Sequence, residues 1–172
     1  MFGIIGLIGN IGMMMLDPQF CNQILEILPS LEHAYSKLIL LVGTKDSGKT
    51  KVLQELQFQT GAPLLNVNLE VSRCLLEMTQ RQRALRVAEC MGNTVRECGN
   101  PLVLLDNLEL LFDPALQLNP LKLLQGLARN QILIVAWNGR IKDGNLVYAE
   151  PGHPEYQSYS NSDLIIFNCS ED

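Results

Sequence analysis

This sequence predicts an α/β fold: a five-stranded, mostly parallel sheet flanked by helices. Three observations predict it. Short apolar runs recur along the chain, "LILLV", "LVLLD", "QILIVAW" and "LIIF" among them, of the kind needed by strands buried on both faces. Helical periodicity fills much of the sequence between them, and strands alternating with helices call for a parallel sheet covered on both sides. The 172 residues fit one compact domain, and 47 % apolar against 18 % charged residues excludes a disordered chain.

Residues 1–17 read as an apolar extension, with a single domain over 18–172. The run "MFGIIGLIGNIGMMML" is shorter than the ~20 residues of a membrane-crossing helix. It has no basic residue before it and no small-residue cleavage site after it. Met13, Met14 and Met15 stand as alternative starts, and no stable membrane insertion is expected. From Pro18 to Leu28, the residues Phe20, Ile24, Leu25 and Leu28 share one helical face, with Pro29 as the interruption. Residues 38–42 form the first strand. A helix follows from near Gly48 to before Gly61, and "PLLNVNLE", 63–70, forms the second strand.

Ser72 and Thr79 are candidate N-caps of the helical stretch beyond it. Thr79 and Gln82 have capping-box spacing, and Gly99-Asn100-Pro101 supplies the stop. Residues 102–106 form the third strand, 119–130 a helix with Pro120 suited to its first position, and 131–137 the fourth strand. Asp143-Gly144 joins "GRIK" to "NLVYAE" as a hairpin, and 164–167 is the fifth strand.

The chemistry concentrates in "GTKDSGKT". Gly43, Thr44, Lys45, Asp46, Ser47, Gly48, Lys49 and Thr50 match G-x-x-x-x-G-K-[ST] between a buried strand and a helix. Glycines let such a loop curl so that backbone N–H groups face phosphate oxygens, and the helix N-terminus adds partial positive charge. Lys49 reaches the β and γ phosphates, and Thr50 ligates Mg²⁺. Asp106, ending the third strand, is the second Mg²⁺-side residue. The expectation is therefore a P-loop NTPase of the additional-strand class (RecA- or AAA-like), sheet order 5-1-4-3-2, with no helical lid after the fifth strand. The GTPase signatures D-x-x-G and N-K-x-D are missing, which favours ATP by elimination.

Asn138 ends the fourth strand, where this class aims a polar residue at the γ-phosphate; Asn-Gly turn geometry is the alternative. Many such proteins follow the Mg²⁺ acid with a glutamate that activates water, but this chain has Asn107. Glu70, at the end of the second strand as in RecA-like ATPases, and Glu109 are the substitutes; with neither, no base exists and hydrolysis is feeble. A transition-state arginine from a neighbouring subunit would come from Arg129 or Arg140, which predicts a homo-oligomer. Arg73, Arg81, Arg83, Arg86 and Arg96 form a stripe that is either a solvated face or a dock for an acidic partner, another subunit or DNA. A net charge of −5 argues against wholesale coating of nucleic acid. Five cysteines without a CxxC pair, and two histidines, assemble no zinc spacing. Free or buried thiols in a reducing cytoplasm are expected.

Together "LILLVGTKDSGKT", "NVNLEVSRCLLEMTQRQRALRV", the run from "VLLDNLELLFDP" to "QILIVAWNG", and "NLVYAEPGHPEYQSY" resemble the BrxF family, the small P-loop proteins of type 3 BREX (bacteriophage exclusion) systems. The resemblance covers roughly residues 24–168, and the 106–114 and 151–156 runs are its most specific parts. It implies an anti-phage role beside a large ATPase, a DNA methyltransferase and a phosphatase-like component. A nucleotide-gated scaffold and a small-molecule kinase are the alternative functions. A kinase needs a lid arginine, and residues 107–128 contain none.

Overall fold

The computed structural model describes residues 18–160 and 163–170; the 1–17 extension lies outside them. In chain order the elements are α1 (Pro18–Leu31), β1 (Leu38–Gly43), α2 (Lys49–Thr60), β2 (Leu64–Asn66), α3 (Val67–Leu75), α4 (Gln80–Glu97) and β3 (Leu102–Asp106). Two 3₁₀ turns follow, Glu109–Phe112 and Pro114–Leu116, then α5 (Pro120–Leu127), β4 (Ile132–Lys142), β5 (Asn145–Tyr148), β6 (Gln157–Ser160) and β7 (Ile165–Asn168). The fold is α/β. Its parallel strands run β2-β3-β4-β1-β7, the expected order with β7 as the fifth strand.

Successive residues of a strand point to opposite faces, so the apolar runs serve two cores. Ile39, Leu41, Leu104 and Ile134 pack under α1 and α2, which contribute Ile24, Leu53 and Leu56. Leu40, Val42, Val103, Leu105 and Val135 face the other way, under α3, α4 and α5. That second face is completed by an antiparallel extension. Asp143 and Gly144 take φ 49° and 73°, turning β4 into β5, and β6 pairs with β5 in turn. The sequence showed the β4–β5 hairpin but not β6. Trp137 is fully buried beneath this extension, edge-on to Phe112, Tyr148 and Tyr159.

Four expectations need correction. Pro29 does not interrupt α1; it lies in the last turn, where it removes one helical bond and the helix ends two residues later. The second strand stops at Asn66 rather than running to residue 70, because the Asn66 side chain accepts the Leu69 N–H at 3.0 Å and starts a helix. Val67, Val71 and Leu75, four apart, supply that helix with its buried stripe. Ser72 is consequently an exposed residue within α3, not a cap, whereas Thr79 does cap α4 in a reciprocal capping box with Gln82. Finally, Cys74 and Cys90 are not free thiols: they form a disulfide joining α3 to α4.

The bond closes a segment of 16 residues, for which loop-closure entropy amounts to about 3 kcal/mol. Cys74→Ser is expected to lower the urea-unfolding free energy of the oxidised chain by about 2–3 kcal/mol. Repeating the measurement in excess dithiothreitol should bring the two chains together; a gap of the same size in both conditions would refute the assignment of that stability to the bond.

Candidate functional site

The carboxyl edge of the sheet collects the polar residues. Gly43 closes β1 opposite Asn138 of β4, and Asp106 closes β3 opposite Asn66 of β2. In open parallel sheets this edge, at the point where the strand order reverses, is where ligands bind. A cavity of about 540 Å³ opens there, between the 45–51 segment and Asp106, Asn107, Glu109 and Asn138. That is ample for the phosphates of a nucleotide.

The 43–50 loop is shaped by backbone handedness and close packing. Asp46 and Gly48 adopt φ 66° and 86°, so the loop curls tightly before α2 begins at Lys49. A Cβ at Gly43 would stand 2.2 Å from the Ser47 Oγ, so the loop packs onto its own first residue only if that residue is glycine. Lys49 is buried inside the curl and donates to the Gly43 carbonyl at 2.9 Å, the Thr44 carbonyl at 2.6 Å and the Ser47 Oγ at 3.1 Å. Burial pushes the Lys49 ammonium below its ordinary pKa, and nearby negative groups, Asp106 and Glu109 among them, pull against that shift. At the start of α2 the N–H groups of Lys49 and Thr50 precede the first helical bonds, which Lys51 and Val52 make to the Gly48 carbonyl. Loop amides, an ammonium and a helix N-terminus form an anion cradle.

Beside it, Thr50 Oγ1 donates to Asp106 Oδ2 at 2.8 Å. A hydroxyl and a carboxylate at this separation are hard oxygen donors suited to Mg²⁺, which keeps several of its waters and takes few protein ligands. The residues present thus fit a Mg²⁺–nucleotide pair. Thr44, Lys45 and Asp46 are exposed, and Lys45 and Asp46 line the mouth of the cavity.

The remaining candidates separate. Glu70, placed at a strand end from the sequence, lies instead in the first turn of α3, paired with Arg73 at 3.0 Å and outside the cavity lining. Asn138 faces the cavity but gives its amide to the Glu109 carboxylate. Arg140 lies one residue beyond Gly139 and pairs with Glu150. Arg129 follows α5 at the opposite edge of the sheet, over the exposed Tyr35 ring at 5.2 Å. A strand of this length puts it about 20 Å from its own cavity. Within the arginine stripe, Arg86 pairs with Glu89, Arg96 with Asn93, and Arg83 donates to the Met78 and Leu76 carbonyls before α4. Arg83 therefore braces a turn, while Arg86 stays on the solvated face.

Sequence reasoning missed Asn68. It belongs to no motif, and the strand drawn through it hid its proximity to residues 107–110. Asn107 also acquires a reason: its φ of 55° is left-handed, a conformation Asn tolerates far better than Glu. His153 is a turn residue, its ring Nδ1 accepting the Glu155 N–H at 3.2 Å. Among the described residues no helix is long and apolar enough to cross a membrane. No protein-family model matches this chain, and no curated protein matches it.

Proposed function

We propose that this chain is an ATP-binding P-loop subunit of the additional-strand class that hydrolyses ATP slowly, in the bacterial cytoplasm, as part of an anti-phage defence complex. One observation carries the nucleotide reading: a glycine-curled loop wrapped around Lys49, with Thr50 bonded to Asp106 at the carboxyl edge of a parallel sheet. Thr50 and Asp106 are the residues that would hold Mg²⁺. The ion supplies neutralisation of charge developing on the phosphates. Lys49 and the loop amides position the β and γ phosphates. The defence role, the cytoplasmic location and the large ATPase, methyltransferase and phosphatase-like partners rest on the resemblance alone, most specifically on the 106–114 and 151–156 runs, since the Cys74–Cys90 bond removes the argument for a reducing compartment from free thiols. A second reading, a nucleotide-gated scaffold without useful turnover, is favoured by the amide at position 107.

Slow turnover by an isolated chain follows from what lines the cavity. Among the described residues its cationic lining consists of lysines of the 45–51 segment, so the reading takes an arginine at the γ-phosphate from elsewhere. Arg129 and Arg140 are the proposed donors from a neighbouring copy. Turnover per chain should rise with protein concentration, in step with the mass in solution. Arg129→Ala or Arg140→Ala should lower turnover without lowering nucleotide affinity. A monomer whose specific activity does not depend on concentration refutes the assembly-dependent reading.

A further inference from the structure

We propose that Glu109 is the carboxylate that receives the proton of the attacking water, and that Asn68 and Asn138 are the positioning residues that hold it there. The inference rests on the ATP-hydrolysing reading. Glu109 opens the 3₁₀ turn after β3, half-buried, and lines the same cavity as Lys49, Thr50 and Asp106. The left-handed turn at Asn107 redirects the chain, so the acid absent from position 107 is delivered to the cavity two residues later.

Its orientation is fixed from two elements. Asn68, in the first turn of α3, donates through Nδ2 to Glu109 Oε2 at 2.7 Å. The other end of that amide is committed, because Oδ1 accepts the Leu110 N–H at 2.8 Å, so the amide does not flip. The Asn68 backbone N–H also donates to the Asn107 carbonyl at 2.9 Å. Three bonds therefore lock the start of α3 to residues 107–110. On the far side, Asn138 Nδ2 donates to Glu109 Oε1. Each carboxylate oxygen holds one neutral amide donor and keeps further lone-pair capacity. Two such donors, from opposite sides, fix the direction of the carboxylate. Among the described residues the other acids near the cavity are placed differently: Asp46 sits in the loop itself, Asp106 is bonded to Thr50, and Glu70 is paired with Arg73 outside the lining.

In the step itself the water oxygen bonds to the γ-phosphorus while the bond to the β–γ bridging oxygen breaks. The electron pair of that bond leaves with ADP, and the proton of the water passes to Glu109, which later releases it to solvent. Asn138, which the sequence aimed at the γ-phosphate itself, acts here through Glu109.

The test uses Glu109→Gln and Asn68→Ala in the full chain, with thermal unfolding to confirm the fold, calorimetry for ATP and ADP, and single-turnover hydrolysis. Glu109→Gln should slow hydrolysis by ~10²–10⁴-fold. It should also raise affinity for ATP relative to ADP by roughly fivefold, because a negative charge facing the γ-phosphate is gone. Asn68→Ala should lower kcat with KM unchanged. Hydrolysis by Glu109→Gln equal to wild type, with the ATP-to-ADP preference unchanged, overturns the inference and leaves the ATPase reading standing. Wild-type protein that binds ATP but never hydrolyses it, alone or assembled, overturns the inference in favour of the scaffold. Wild-type protein that binds no ATP overturns both.

Discussion

Lys49→Ala is expected to lose affinity for MgATP by ~10²–10⁴-fold, because two charge-assisted hydrogen bonds to phosphate oxygens disappear at roughly 1.5–3 kcal/mol each. The loss has a second source. Lys49 ties the Gly43 and Thr44 carbonyls and the Ser47 hydroxyl together, so the loop without it enters the complex less ordered and loses conformational entropy on binding. Lys49→Met separates the two contributions in part, since its side chain still fills the curl of the loop. Calorimetry should rank wild type well above Lys49→Met, with Lys49→Ala equal or weaker. The fold is expected to survive, because burial already disfavours the charged ammonium and its removal relieves that penalty. Undiminished MgATP affinity in a folded Lys49→Ala protein would falsify the phosphate site.

Gly139→Ala should be the most damaging small substitution in the extension. A Cβ there would lie 1.9 Å from the Val147 carbonyl oxygen, a backbone atom, and 3.0 Å from the Trp137 Nε1. The same carbonyl accepts the Trp137 indole N–H at 3.3 Å. The methyl group therefore forces β5 away from β4 and strips a fully buried indole of its acceptor. Overpacking and an orphaned buried donor cost about 1–3 kcal/mol each, so a loss of about 2–6 kcal/mol is expected. Urea unfolding followed by tryptophan fluorescence measures it directly, since Trp137 is the sole tryptophan. A change below about 1 kcal/mol, within the ordinary range of harmless surface substitutions and small effects, would sink this account.

The central strands β1, β3 and β4 were legible because burial on both faces leaves an apolar run that no exposed element imitates, and α2 was legible because Gly61 marks its end. Residues 63–70 misled because an apolar stripe repeating every four residues, Val67, Val71 and Leu75, starts inside a stretch that also reads as a strand. What decides there is a cap: the Asn66 side chain on the Leu69 N–H. The error propagated to the site, since it put Glu70 on a strand end and left Asn68 unremarked. The 43–50 loop carried its meaning in sequence because handedness and contact distance dictate its glycines. The amide clamp on Glu109 carried none, because it joins three elements distant in sequence through side chains that no spacing rule connects. The Cys74–Cys90 bond was hidden for the same reason: only the packing of α3 on α4 brings the two residues together.

Position 107 illustrates how chain geometry restricts which amino acids a site accepts. With φ at 55°, the backbone there admits Gly, Asn and Asp readily, charges most other side chains about 1–2 kcal/mol, and excludes Val, Ile and Thr most strongly. Installing a glutamate would thus either strain the turn or straighten it. Straightening moves the Asn107 carbonyl that holds the Asn68 N–H, and with it the 107–110 segment that carries Glu109. The tight turn and a glutamate at its apex are alternatives at this position, which leaves Glu109, two residues on, as the glutamate of this segment that lines the cavity.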